Sequence, residues 1–119
     1  MYGIPDDIDW SFLVGKELLQ ACIGLHQMQL RFDDDILLSI EGDFDHFRGE
    51  GTSLAGVREL PQKAATLLSL LGLKVATVRR RGRKTLALEF SSGETLWIHD
   101  SNESCESFQV IARGKEIIV

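Results

Sequence analysis

Cysteine is scarce: Cys22 and Cys105 are the two in 119 residues. They are too few and too far apart to build a disulfide framework or a metal knuckle, so both read as reduced thiols. Long apolar runs are missing as well. None approaches the ~18 residues needed to cross a bilayer, and the opening MYGIPDDIDW lacks the basic and apolar regions of a signal peptide. A soluble, cytoplasmic protein with no membrane partner is the expectation. Positive charge is short too: the net charge of −5 speaks against nucleic-acid binding, which relies on a basic footprint. The chain also has no glycine-rich nucleophile elbow, phosphate loop or dinucleotide fingerprint. No catalytic residue and no cofactor is therefore nominated, and the chain is not expected to be an enzyme.

What is present suits one domain over residues 1–119, with 44% hydrophobic and 26% charged residues. Charge is unevenly spread: residues 1–60 carry 12 acids and 4 bases, or −8, whereas residues 61–119 carry 6 acids and 9 bases, or +3. Arg79, Arg80, Arg81, Arg83 and Lys84 surround Gly82, as at a solvated hairpin tip or a docking point for an acidic partner.

An internal repeat organises the chain. LVGKELLQA at 13–21 matches LLGLKVATV at 70–78 at an offset of 57, and MQLRFDDDILLSIEG at 28–42 matches LALEFSSGETLWIHD at 86–100 at an offset of 58. The second copy has strand character around VATV, so Glu17–Ile23 is read as a strand too, against its helical propensity. Each copy, approximately 13–42 and 70–100, becomes a glycine-terminated turn followed by a three-stranded meander. Met28, Leu30, Phe32, Leu38 and Ile40 of one copy should face Leu86, Leu88, Phe90, Leu96 and Ile98 of the other. Asp9 is an expected N-cap of a single turn before Gly15. GDFDHFRGEGTSLAG between the copies reads as a loop anchored by Phe44, His46 and Phe47. Pro61 opens a helix over 61–71 whose leucines 67, 68, 70 and 71 pack on the sheet. A hairpin from Phe108 onward closes the chain. The fold class is α+β, mainly antiparallel β: two pseudo-repeated three-stranded meanders, one connecting helix and a C-terminal hairpin. Single sheet, sandwich and partly closed barrel all remain compatible.

Residues 95–108, TLWIHDSNESCESF, hold most of the candidate chemistry. Alternation turns Leu96 and Ile98 toward the core and puts Trp97 and His99 on the other face. Candidate binding residues are Trp97, His99, Asp100, Asn102, Glu103 and Glu106, with His46, Arg79 and Arg81. Aromatics rimmed by polar groups are common at interface centres. Asp100, Asn102, Ser104 and Glu106 alternate like the opening of a calcium loop, but Cys105 takes the place of its turn glycine and Ile111 that of its closing glutamate. Zinc through His99, Cys105 and His46 has no supporting spacing, so no metal ligand is nominated.

LALEFSSGETLWIHDSNESCESFQV, with LVGKELLQACIG and LRFDDDILLSIEG, resembles a group of small uncharacterised bacterial proteins that carry an LxLxF strand, a glycine turn and a strand leading into DSxxxYESF. Cys105 stands where that motif has an aromatic. The resemblance implies a bacterial source and a stand-alone domain, and by analogy an immunity-like protein that neutralises a protein partner. The leading expectation is a small binding or regulatory module, with homodimerisation through its acidic and basic surfaces. A hydrolase-like or metal-dependent enzyme using His99, Asp100 and Glu106 is the alternative, and a structural subunit of a homo-oligomer the third reading.

Overall fold

The computed structural model describes Ile4 and residues 8–25, 27–48, 64–100, 108–112 and 115–119. Within them run nine strands: β1 (Leu18–Ile23), β2 (Met28–Phe32), β3 (Ile36–Ile40), β4 (Phe44–Arg48), β5 (Val75–Arg81), β6 (Thr85–Phe90), β7 (Glu94–His99), β8 (Phe108–Ala112) and β9 (Lys115–Ile118). Short 3-10 helices lie at Trp10–Leu13, Asp33–Asp35 and Ala64–Leu70, and no α-helix occurs among the described residues. The mainly antiparallel β architecture is as expected, while the helical share of the α+β reading amounts to these short 3-10 turns among the described residues. The strands form two sheets, ordered β1-β2-β3-β8-β9 and β4-β7-β6-β5, and neither closes into a barrel.

Strict alternation explains the core. Met28, Leu30, Phe32, Leu38 and Ile40 from the first sheet, and Leu86, Leu88, Phe90, Leu96 and Ile98 from the second, are at most 1% exposed and belong to one hydrophobic cluster. Full burial of such side chains contributes about 1.5–3 kcal/mol each, so a one-residue slip in register would reverse the sign of every contribution on a strand.

The two meanders meet at their first strands, through an antiparallel bridge between Glu17 and Lys74. Around it, bonds recur at the spacing of the repeat. Gly15 N–H donates to Val75 O and Gly72 N–H to Leu18 O; Leu18 N–H donates to Leu73 O and Val75 N–H to Lys16 O. Glu17 N–H is capped by the Asp33 carboxylate and Lys74 N–H by the Ser91 hydroxyl. Both first strands carry a bulge two residues in, between Leu18 and Gln20 and between Val75 and Thr77. Gly15 and Gly72 each adopt φ 84, a left-handed conformation that a side chain would strain.

Strand β4 is an element that the glycine-rich loop reading missed. Phe44 and His46 point inward while Asp45 and Phe47 point outward, a five-residue alternation hidden by its glycine flanks. It pairs with β7 of the second meander rather than with β3, and β8 reciprocally pairs with β3 rather than with β7. The connecting helix is also corrected: Ala64–Leu70 is 3-10, and residues 61–63 lie outside the described residues. A three-residue period eclipses Leu67 and Leu70. These two are fully buried, whereas Leu68 and Leu71 are exposed rather than packed on the sheet. The first 3-10 turn has the expected cap, with the Asp9 carboxylate accepting from Ser11 N–H. The C-terminal hairpin forms as β8–β9.

Candidate functional site

The outer face of the β4-β7-β6-β5 sheet gathers most of the described candidate residues. Register aligns three cross-strand rows there: Asp45–Trp97–Ala87–Arg79, Phe47–Thr95–Glu89–Thr77 and, toward one end, His99–Thr85–Arg81. Trp97 is the centre. The Phe47 ring meets it edge-on with centroids 4.9 Å apart, and the Arg81 guanidinium carbon lies 4.4 Å from its ring centroid. The edge contact is worth about 0.5–1.5 kcal/mol and an exposed cation–π pair about 0.5–1 kcal/mol, enough to hold the indole in one orientation. Because Ala87 is small, the surface dips between Trp97 and Arg79. A shallow cleft of about 120 Å³ results, with Thr77, Arg79, Arg81, Glu89, Thr95 and Trp97 around Ala87.

Beside the cleft, three strands join side chains in a chain of hydrogen bonds. Asp45 Oδ2 lies 2.9 Å from His99 Nε2, and His99 Nδ1 lies 2.9 Å from Thr85 Oγ1. An ionised carboxylate only accepts, so the network assigns a proton to Nε2, and in that tautomer the Nδ1 lone pair accepts from the threonine hydroxyl.

His46 and Asp100 sit elsewhere. His46 lies on the inner face of β4 with no exposed surface, and Asp100 is 3% exposed, its N–H donating to Lys84 O. Neither side chain can meet a partner at the surface. His46 instead belongs to a buried polar cluster: Nε2 lies 3.4 Å from Glu94 Oε2, and Nδ1 lies 3.1 Å from Thr66 Oγ1 on the connecting 3-10 helix. Glu94 also accepts from Arg48 Nε at 3.1 Å and from Ser69 Oγ at 3.2 Å. Burial holds the His46 pKa below its ordinary 6.5; the hydrogen bond and charge of Glu94 pull it back upward, and Arg48 adds to the lowering. Arg79 and Arg81 lie on β5 rather than in the turn, which Gly82 enters at φ 67. Asn102, Glu103, Cys105 and Glu106 fall outside the described residues. Sequence reasoning passed over Asp45 and Thr85, although each occupies an outward position of an alternating strand.

Residues 12–119 match the model of a family of unknown function, DUF6188. The chain belongs to that family. No curated protein and no solved structure matches this DUF6188 chain. Among its described residues, no helix is long and apolar enough to cross a membrane.

Proposed function

We propose that this DUF6188 chain is a small binding module that holds an acidic protein partner against the outer face of its four-stranded sheet, in the manner of a neutralising or regulatory protein. The observation that carries the reading is Trp97, half-buried at the centre of that face and clamped by Phe47 and Arg81. An indole already held in one orientation loses little side-chain freedom on binding. Such aromatic and arginine anchors supply a large share of interface energy. Arg79 and Arg81 flank the cleft, and Arg83 and Lys84 follow in the turn of the same hairpin, so the partner chemistry is acidic. The bonds recurring 57 and 58 residues apart support descent from a duplicated unit, in which only the second copy carries this aromatic–arginine face.

Trp97→Ala is expected to weaken capture of the native partner by about 30-fold, the effect of losing a hot-spot anchor, while the far-UV circular dichroism spectrum stays unchanged. Quantitative pull-down with wild-type and variant protein at low and high salt measures it. Equal retention by the two proteins would remove Trp97 from the interface.

A second copy is the alternative occupant, favoured by the charge asymmetry of −8 against +3 between residues 1–60 and 61–119. Sedimentation at micromolar concentration distinguishes the two. A mass of 13.3 kDa excludes self-association, and twice that mass, reverting with Arg79→Glu or Arg81→Glu, supports it.

A further inference from the structure

We infer that Thr85, His99 and Asp45 form a nucleophile, base and orienting acid competent for acyl transfer. This goes beyond the binding reading and does not rest on it. Adjacent strands β6, β7 and β4 each contribute one residue, and both links measure 2.9 Å. Nucleophilic catalysis at a hydroxyl needs a base within hydrogen-bond reach and a third group that fixes the base, and both are met at this end of the sheet. The polarity runs one way: the carboxylate holds Nε2–H, which directs the free Nδ1 lone pair at the threonine hydroxyl. Thr85 is β-branched, so its χ1 is restricted and the oxygen is held toward the imidazole. The site is not sealed, because the His99 and Asp45 side chains are 25% and 36% exposed.

The substrate class that fits is a small activated ester. Thr85 Oγ1 bonds to the carbonyl carbon as its proton passes to His99 Nδ1 and the carbonyl π pair moves onto oxygen. Arg81 is the register partner of Thr85 on the neighbouring strand, and its positive charge would attract an acid group on the substrate. The intermediate collapses by breaking the bond to the leaving alkoxide, which takes the proton from Nδ1. Water then bonds to the acyl carbon as its proton passes to His99 Nδ1. The bond from that carbon to Thr85 Oγ1 breaks and Oγ1 takes the proton back, which releases the carboxylic acid and restores the free hydroxyl. Throughout, Asp45 accepts from Nε2–H and stabilises the transient imidazolium.

Two probes test this on the full chain: 4-nitrophenyl acetate for turnover, and a fluorophosphonate, whose phosphorus captures the hydroxyl oxygen with loss of fluoride. The expected result is one adduct per chain, mapped by mass spectrometry to Thr85. Thr85→Val should abolish it, and Thr85→Ser, which keeps the hydroxyl on a smaller side chain, should retain it. His99→Gln should slow both reactions by about 100-fold or more, the usual contribution of a positioned base. Circular dichroism of each variant confirms that it is folded. An unlabelled Thr85 in wild-type protein, or turnover in Thr85→Val equal to wild type, would overturn the inference.

Discussion

Replacing Phe90 by Ala is expected to destabilise the protein by about 3–5 kcal/mol, a large share of the roughly 5–15 kcal/mol that holds a domain of this size together. Phe90 is 1% exposed and closes the inner end of β6 opposite Val75, beside the bridge where the two meanders meet. Phe32 holds the matching place on β2 opposite Leu18. Truncating either ring opens a cavity in the core cluster that the two sheets share, and strands tied by ladders on both sides cannot move in to fill it. Urea unfolding followed by circular dichroism should show the midpoint falling by about 2 M if the slope is near 2 kcal/mol per molar. Phe32→Ala should behave alike. A loss under about 1 kcal/mol in either variant would mean that this junction is not closely packed.

The second large effect lies in the buried cluster around Glu94. Glu94→Ala removes the acceptor shared by His46, Ser69 and Arg48, and for His46 that hydrogen bond lies in a site sealed from water. An expected loss of about 2–3 kcal/mol follows, mostly from the lost buried hydrogen bond to the carboxylate, since Arg48 is 66% exposed and can turn to solvent. The cluster also predicts a pH dependence. His46 has a folded-state pKa below the 6.5 of the unfolded chain, so between those two values the unfolded state binds more protons. Stability therefore rises with pH across that window. The stabilisation is complete above 6.5 and erodes as pH falls toward the folded value, by at most about 1.4 kcal/mol per pH unit. His46→Gln should remove this component, so stabilities of wild type and variant compared from pH 7 down to pH 5 should converge on acidification. Parallel curves would show that His46 stays accessible to protons in the folded state.

The strands of both meanders were legible because their signal is local. Met28, Leu30 and Phe32, like Leu86, Leu88 and Phe90, mark one face at every second residue, and the shared spacing exposed β1 despite its helical composition. Strand β4 was not legible for two physical reasons. Its five residues sit among glycines, and its pairing partner lies some fifty positions along the chain. Once β4 is in place, Phe44 and His46 share an inward face, which accounts for a buried histidine that had looked like a loop residue. The helix reading failed on period: Leu67 and Leu70 fit three-residue spacing as well as the α-helical one, and packing favoured the tighter form. Trp97, His99, Arg79 and Arg81 could be grouped from alternation and charge. The Thr85–His99–Asp45 relay could not, because Asp45 reaches His99 only through the β4–β7 pairing. Asp100 followed His99 in the sequence and was grouped with it, yet the next residue along a strand points the opposite way.

The crossed pairing of β4 and β8 makes the two halves of this molecule hostages to one another. Each sheet is completed by a strand that the other half supplies, so the halves are interlocked rather than merely stacked. Cut apart and produced as separate polypeptides, each would be left with an unpaired sheet edge and an uncovered apolar surface, and the pair would have to reassemble before either became soluble and ordered. Folding of the intact chain is committed late for the same reason, since neither sheet can be finished until strands from distant parts of the sequence have been exchanged.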